Sequence, residues 1–164
     1  MKRSRETNAL IAIGIVGLII LFGAPSTLDL FSVISLTTAV SLAILALSLG
    51  LIWGFGGILC FGQTAFFGIG GYAYAIAALN FGGSTGAIVA ALLIAAAAAA
   101  VLGYFMFYGR LSDVYLAVIT LTVTLILYSV IRRTSGPEYK IGIAKLGGFN
   151  GINVPPINLS LIHI

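Results

Sequence analysis

From Leu30 to Gly109 the chain runs for eighty residues without an Asp, Glu, Lys, Arg or His. One helix of that length would reach about 120 Å at roughly 1.5 Å per residue. The hydrocarbon core of a bilayer is about 30 Å thick. The run must therefore fold back on itself several times within a membrane. Soluble proteins carry roughly 25% charged residues; this chain has 7%, and its mean hydropathy is +1.18. The sequence predicts an all-α membrane protein, a polytopic bundle of about five transmembrane helices in which one Gly-rich helix is interrupted.

The spans fall near Asn8–Ala24, Phe31–Trp53, Gly57–Leu79, Gly86–Tyr108 and Val114–Ile131. Such lengths suit helices, whereas barrel strands would alternate in polarity. The first span, with Lys2, Arg3 and Arg5 before it, has the outline of a signal peptide. We read it as a retained helix, because further membrane segments follow. Pro25-Ser26-Thr27 closes it, and Asn80-Phe-Gly-Gly-Ser-Thr85 is a short turn. Tyr104 to Tyr108 reads as an aromatic interface belt beside Arg110. Ala95 to Ala100, with Gly103, offers a smooth face for close helix packing. The basic start argues for a cytoplasmic N-terminus of a multi-pass protein in the inner or plasma membrane. Five spans then put Arg110 inside but Arg132, Arg133, Lys140 and Lys145 outside. A break at Gly54–Gly57 would reverse that parity, so charge alone leaves the side of the 132–158 loop open. That loop collects the turn signals Gly136-Pro137, Gly147-Gly148 and Pro155-Pro156 and reads as a polar extramembrane segment.

Several functions are excluded by what is missing. There is no basic face interleaved with aromatics, so nucleic acid is not an expected partner; the net charge of +4 reads as orientation and contact with membrane lipid. One Cys and one His give no zinc set and no catalytic triad, so no metal site, no catalytic residue and no enzyme activity is expected. Gly68-Ile-Gly70-Gly-Tyr-Ala73 approaches a dinucleotide fingerprint but follows no strand. Ion-driven carriers keep carboxylates or histidines inside the membrane as relays. Here Asp29 and Asp113 sit only at span edges. Any transport is therefore powered elsewhere or passive.

The informative segment is Trp53 to Tyr72, with seven glycines in twenty residues. Glycine costs about 1 kcal/mol in a helix interior relative to alanine, and in lipid every backbone N–H and C=O needs a partner. Such a segment either packs helices backbone to backbone or breaks a helix so that free peptide groups line a polar path. Gly50 and Gly54 have the small-xxx-small spacing of packing, and Gly68, Gly70 and Gly71 are further packing candidates. Gln63 and Thr64, beside Gly62, favour a path, because a side-chain amide at depth needs a polar partner. Both readings stay open on the residues alone.

The same segment, extended backwards, is Leu45-Ala-Leu-Ser-Leu-Gly-Leu-Ile-Trp-Gly-Phe-Gly-Gly-Ile-Leu-Cys-Phe-Gly-Gln-Thr-Ala-Phe-Phe-Gly-Ile-Gly-Gly-Tyr72. With Gly109-Arg-Leu-Ser-Asp-Val-Tyr-Leu-Ala-Val-Ile-Thr-Leu-Thr122 and Gly147-Gly-Phe-Asn-Gly-Ile152, it resembles the permease subunit of branched-chain amino-acid ABC transporters. The three stretches occur in the family's order and cover most of Leu36 to Pro156. The resemblance implies an importer subunit for branched-chain or related amino acids. ATP and Mg would sit on separate cytoplasmic ATP-binding subunits. A second homologous permease and an extracytoplasmic solute-binding protein would complete the assembly. It also implies that Gly62, Gln63 and Thr64, with Phe66 and Phe67, line the translocation path. Family members often carry Ser-Leu-Gly-His or Ser-Leu-Gly-Gln where this chain has Cys60-Phe-Gly-Gln63. That departure bears on the solute, and a urea- or amide-type permease is the neighbouring alternative.

The resemblance further implies a longer protein, of which residues 1–158 are the N-terminal part of the transmembrane domain. Leu159-Ser-Leu-Ile-His-Ile164 matches the translation of a transposon end used to build sequencing libraries. It is read as a non-native tail, with no role for His163. Two rival readings differ in class: a small homo-oligomeric channel passing solute passively, and a membrane scaffold that transports nothing.

Overall fold

The computed structural model describes residues 2–154 and Ile157. The expected tail 159–164, with His163, and Pro155-Pro156 lie outside the described residues. Five helices follow in order: α1 (Lys2–Thr27), α2 (Leu30–Gly56), α3 (Gln63–Phe81), α4 (Ser84–Tyr108) and α5 (Asp113–Arg133). A two-stranded hairpin, β1 (Lys140–Ile141) and β2 (Ala144–Lys145), and a 3₁₀ turn, η1 (Gly148–Asn150), complete the described elements. Four helices, α2 to α5, are long and apolar enough among the described residues to cross a membrane. The chain divides into two compact units, up to Ala46 and from Leu47 on, with the boundary inside α2.

In the first unit α1 ends at Thr27, the last residue of the expected Pro25-Ser26-Thr27 stop. There the Thr27 hydroxyl bonds back to the Gly23 carbonyl at 2.8 Å. Asp29 then caps α2. Its carboxylate accepts the Ser32 hydroxyl at 2.7 Å and the Ser32 N–H at 3.3 Å, and its carbonyl accepts the Val33 N–H at 3.0 Å. Those side-chain bonds from Ser32 hold the Asp29 carboxyl below its ordinary pKa. Along α2, Thr37, Thr38 and Ser41 each donate to the carbonyl four residues back. Small hydroxyl residues thus need no external partner in an apolar helix.

In the second unit α3 and α4 form a tight antiparallel hairpin. The loop is only Gly82-Gly83, shorter than the turn expected from Asn80 to Thr85. Gly82 takes φ +69°, a left-handed conformation that glycine adopts without a Cβ penalty, and its N–H bonds to the Ala78 carbonyl at 3.0 Å. Ala73, Ala77, Ala78 and Ala87 are buried. Further along, a Cβ placed on Gly70 would sit 3.7 Å from the Ala95 Cβ. Small residues on both helices bring the backbones close, which is how helices associate in lipid. Arg110, at φ +48°, turns the chain between α4 and α5. Asp113 in the first turn of α5 and Arg132 and Arg133 in its last turn match the helix dipole. Large apolar side chains stay exposed on α2, α4 and α5, with Phe55 at 90%. Exposure on this scale suits lipid, not water.

The segment after α5 does not extend away as a free polar loop. Asn80, near the end of α3, donates to the Ile141 carbonyl at 2.9 Å and accepts the Ile143 N–H at 3.0 Å. This pins the hairpin to α3. Beyond it, η1 packs against α5, the Gly148 carbonyl accepts the Tyr72 hydroxyl at 3.4 Å, and Val154 packs beside Ala77 and Ala78. The chain thus doubles back along the middle of α3. The sequence reading missed this because glycine and proline report turns, not the surface a turn folds onto.

Candidate functional site

Residues 57–62, between α2 and α3, are non-helical. The span expected from Gly57 therefore becomes helical only at Gln63. Gly57 ends α2 at φ +67°, with its N–H on the Trp53 carbonyl. The Ser48 hydroxyl donates to Gln63 Oε1 at 3.1 Å. One continuous helix would separate these positions, fifteen apart in sequence, by roughly 22 Å. The chain therefore folds back within 57–62, and Gln63 returns to the level of Ser48, two turns before the end of α2.

Such a break frees peptide groups, and α5 supplies partners for those of Phe61. The Phe61 N–H donates to Thr120 Oγ1 at 3.1 Å, and the Thr124 hydroxyl reaches the Phe61 carbonyl at 3.3 Å. Thr120 donates in turn to the Ala117 carbonyl at 3.0 Å, and it is 2% exposed. The Thr124 proton is shared with the Thr120 carbonyl at 2.8 Å. Both backbone polar groups of one residue in the break, Phe61, are thus held by hydroxyls one turn apart on α5. Gly62 fits beneath them: a Cβ there would lie 3.3 Å from the Thr120 Cβ, 3.4 Å from Phe66 Cε2 and 3.5 Å from Cys60 Sγ.

The expected path residues point in several directions from the start of α3. Thr64 lines a cavity of about 450 Å³ between α3, α5 and η1. Gln63 is bonded to Ser48, and Gly62 faces Thr120. Phe66 lines a separate cavity of about 210 Å³ with Cys60, Gly103 and Thr120. Phe67, 56% exposed, borders a groove with Ile152 and Val154. Of the glycines expected to pack, Gly70 meets α4. Around Gly50, Gly54, Gly68 and Gly71 the space for a Cβ is open within this chain.

Four side chains that build the site were not singled out from the sequence: Ser48, Thr120, Thr124 and Arg132. The Thr120-x-x-x-Thr124 spacing does place two hydroxyls on one helix face, and it was the available signal. The cavity's lining combines the hydroxyls of Thr64, Thr124, Tyr72 and Tyr128 with apolar groups, and Arg132 stands at its edge. The Arg132 guanidinium carbon lies 5.8 Å from the Phe149 ring centroid. No group of three His, Cys, Asp or Glu suited to a metal occurs among the described residues.

The family model described as branched-chain amino acid transport system / permease component matches residues 31–150. The chain belongs to this permease family. The match takes in the break, the threonine clasp on α5 and the hairpin, and ends within η1. No curated protein and no solved structure matches the permease.

Proposed function

We propose that this permease is the membrane subunit of an ABC importer for branched-chain or related amino acids, and that solute passes along the broken start of α3. The supporting observation is the clasp. Thr120 and Thr124 hold the Phe61 N–H and carbonyl beside a cavity lined by Thr64, and the clasp lies within the residues matched by the family. In lipid, irregular backbone is tolerated where protein buries it or where it lines a cavity. The spans from Leu30 to Gly109 carry no charge to couple to an ion gradient. Energy then comes from ATP, with Mg, on separate cytoplasmic ATP-binding subunits. A second homologous permease and an extracytoplasmic solute-binding protein complete the importer. The protein lies in the cell membrane with its N-terminus in the cytoplasm.

The Cys60-Phe-Gly-Gln63 stretch keeps urea or a short amide as the competing solute class. The test is uptake by the permease reconstituted in proteoliposomes with the proposed ATPase and binding-protein subunits. ATP-dependent accumulation of leucine, lost in Gln63→Leu at equal protein level, is expected. Accumulation of urea in place of leucine would move the reading to the amide class. Uptake that equilibrates without ATP would replace the importer with a channel.

A further inference from the structure

We infer that Arg132 is the carboxylate-recognising group of the cavity between α3, α5 and η1, so that the cavity takes small apolar solutes bearing one carboxylate and makes no ion pair with an amine. This rests on reading that cavity as part of the solute path. Among the described residues Arg132 is its single charged lining residue, and no Asp or Glu lines it. Among the described residues the guanidinium has no carboxylate partner; it lies over the Phe149 ring. A guanidinium placed over an aromatic face keeps its planar fork free for a bidentate carboxylate.

The rest of the cavity fits such a solute. Gly68, Ile69, Leu125 and Ile131 offer apolar surface, and the volume of about 450 Å³ falls in the range of small-molecule sites. A solute ammonium would find hydroxyls and aromatic rings there but no counter-charge. Recognition therefore lies at the acid end. The neighbouring Arg133 provides an internal control. It carries the same charge but lines a different, shallow depression with Ser129 and Val130.

The experiment measures binding to the full chain in lipid nanodiscs by saturation-transfer NMR. The probes are L-leucine, 4-methylpentanoate, which lacks the amine, and leucinamide, which lacks the carboxylate. The two carboxylates are expected to bind and to compete with each other, and leucinamide is expected to bind neither alone nor in competition. Arg132→Gln should weaken carboxylate binding roughly 10- to 100-fold, as loss of a charge-assisted pair does. Arg132→Lys should retain part of it, and Arg133→Gln should match the wild type. Leucinamide binding as well as leucine would overturn the inference, as would an absence of carboxylate binding to the wild type. So would an equal loss in Arg133→Gln, which would assign the effect to lipid headgroups. The wild-type ligand series needs no variant to fold. If carboxylates bind as described but the assembled transporter accumulates no amino acid, the inference stands and the proposed function falls. If Arg132→Gln leaves leucine binding and uptake intact, the reverse holds.

Discussion

Thr120 carries more of this structure than its size suggests. It accepts the Phe61 N–H, donates to its own helix, and is nearly closed off from the surroundings. Valine has almost the same shape but no acceptor. Thr120→Val should leave the Phe61 N–H unpaired and cost about 1–3 kcal/mol, the penalty for an unsatisfied buried donor. Thr124→Val should cost less, because a carbonyl tolerates a lost donor better than an N–H tolerates a lost acceptor. Thermal unfolding in detergent, followed by Trp53 fluorescence, checks the order. A Thr120→Val protein as stable as the wild type would remove the clasp from the account. Gly62 belongs to the same arrangement, since the crowding by Thr120, Phe66 and Cys60 leaves little room for a side chain.

The helices differ in what ends them. α3 stops at a glycine that can turn left-handed, and α2 starts at a carboxylate. The Asp29 pKa is lowered in the folded chain, so the cap's contribution has a definite sign. It is complete above the unfolded value, about 3.9, and is lost as pH falls through the lower folded value. Between pH 6 and 8 it should not change. The backbone amide resonance of Ser32 should titrate with a midpoint below 3.9 and should stop titrating in Asp29→Asn. A midpoint at or above that value would mean that the cap does not form. Between α3 and α4 the determinant is different. Small residues such as Gly70 and Ala95 set how closely the helices approach, and no charge takes part.

For the whole molecule, α5 separates two charged ends. Arg110 lies before it and Asp113 is its first residue, while Arg132 and Arg133 close it and Lys140 and Lys145 follow. If α5 crosses the bilayer once, a cysteine at Arg110 and one at Lys140 must face opposite compartments. In a Cys60→Ser background, a membrane-impermeant maleimide added to intact cells should label one and spare the other. Labelling of both from the same side would show that α5 does not span. Which of the two is labelled also assigns the side of the hairpin, which the basic residues at the two ends left open.

The solvent was legible in the sequence, and so were the helices and the family. Eighty residues without a charge can satisfy their backbone in lipid only as helices. Short ordered motifs such as Gly147-Gly-Phe-Asn-Gly-Ile152 carried the resemblance that the family match then bore out. The pairings were not legible. A soluble helix shows its buried face as an apolar stripe, but a helix in lipid is apolar all round, and its partners are chosen by close packing and a few hydroxyls. Nothing in the order of residues says that Gln63 returns to Ser48, that Phe61 rests on Thr120, or that Gly148 folds back onto Tyr72. Those contacts depend on where the chain reverses and on the rotational phase of each helix. Both are properties of the packed bundle, so the tertiary structure alone decided them.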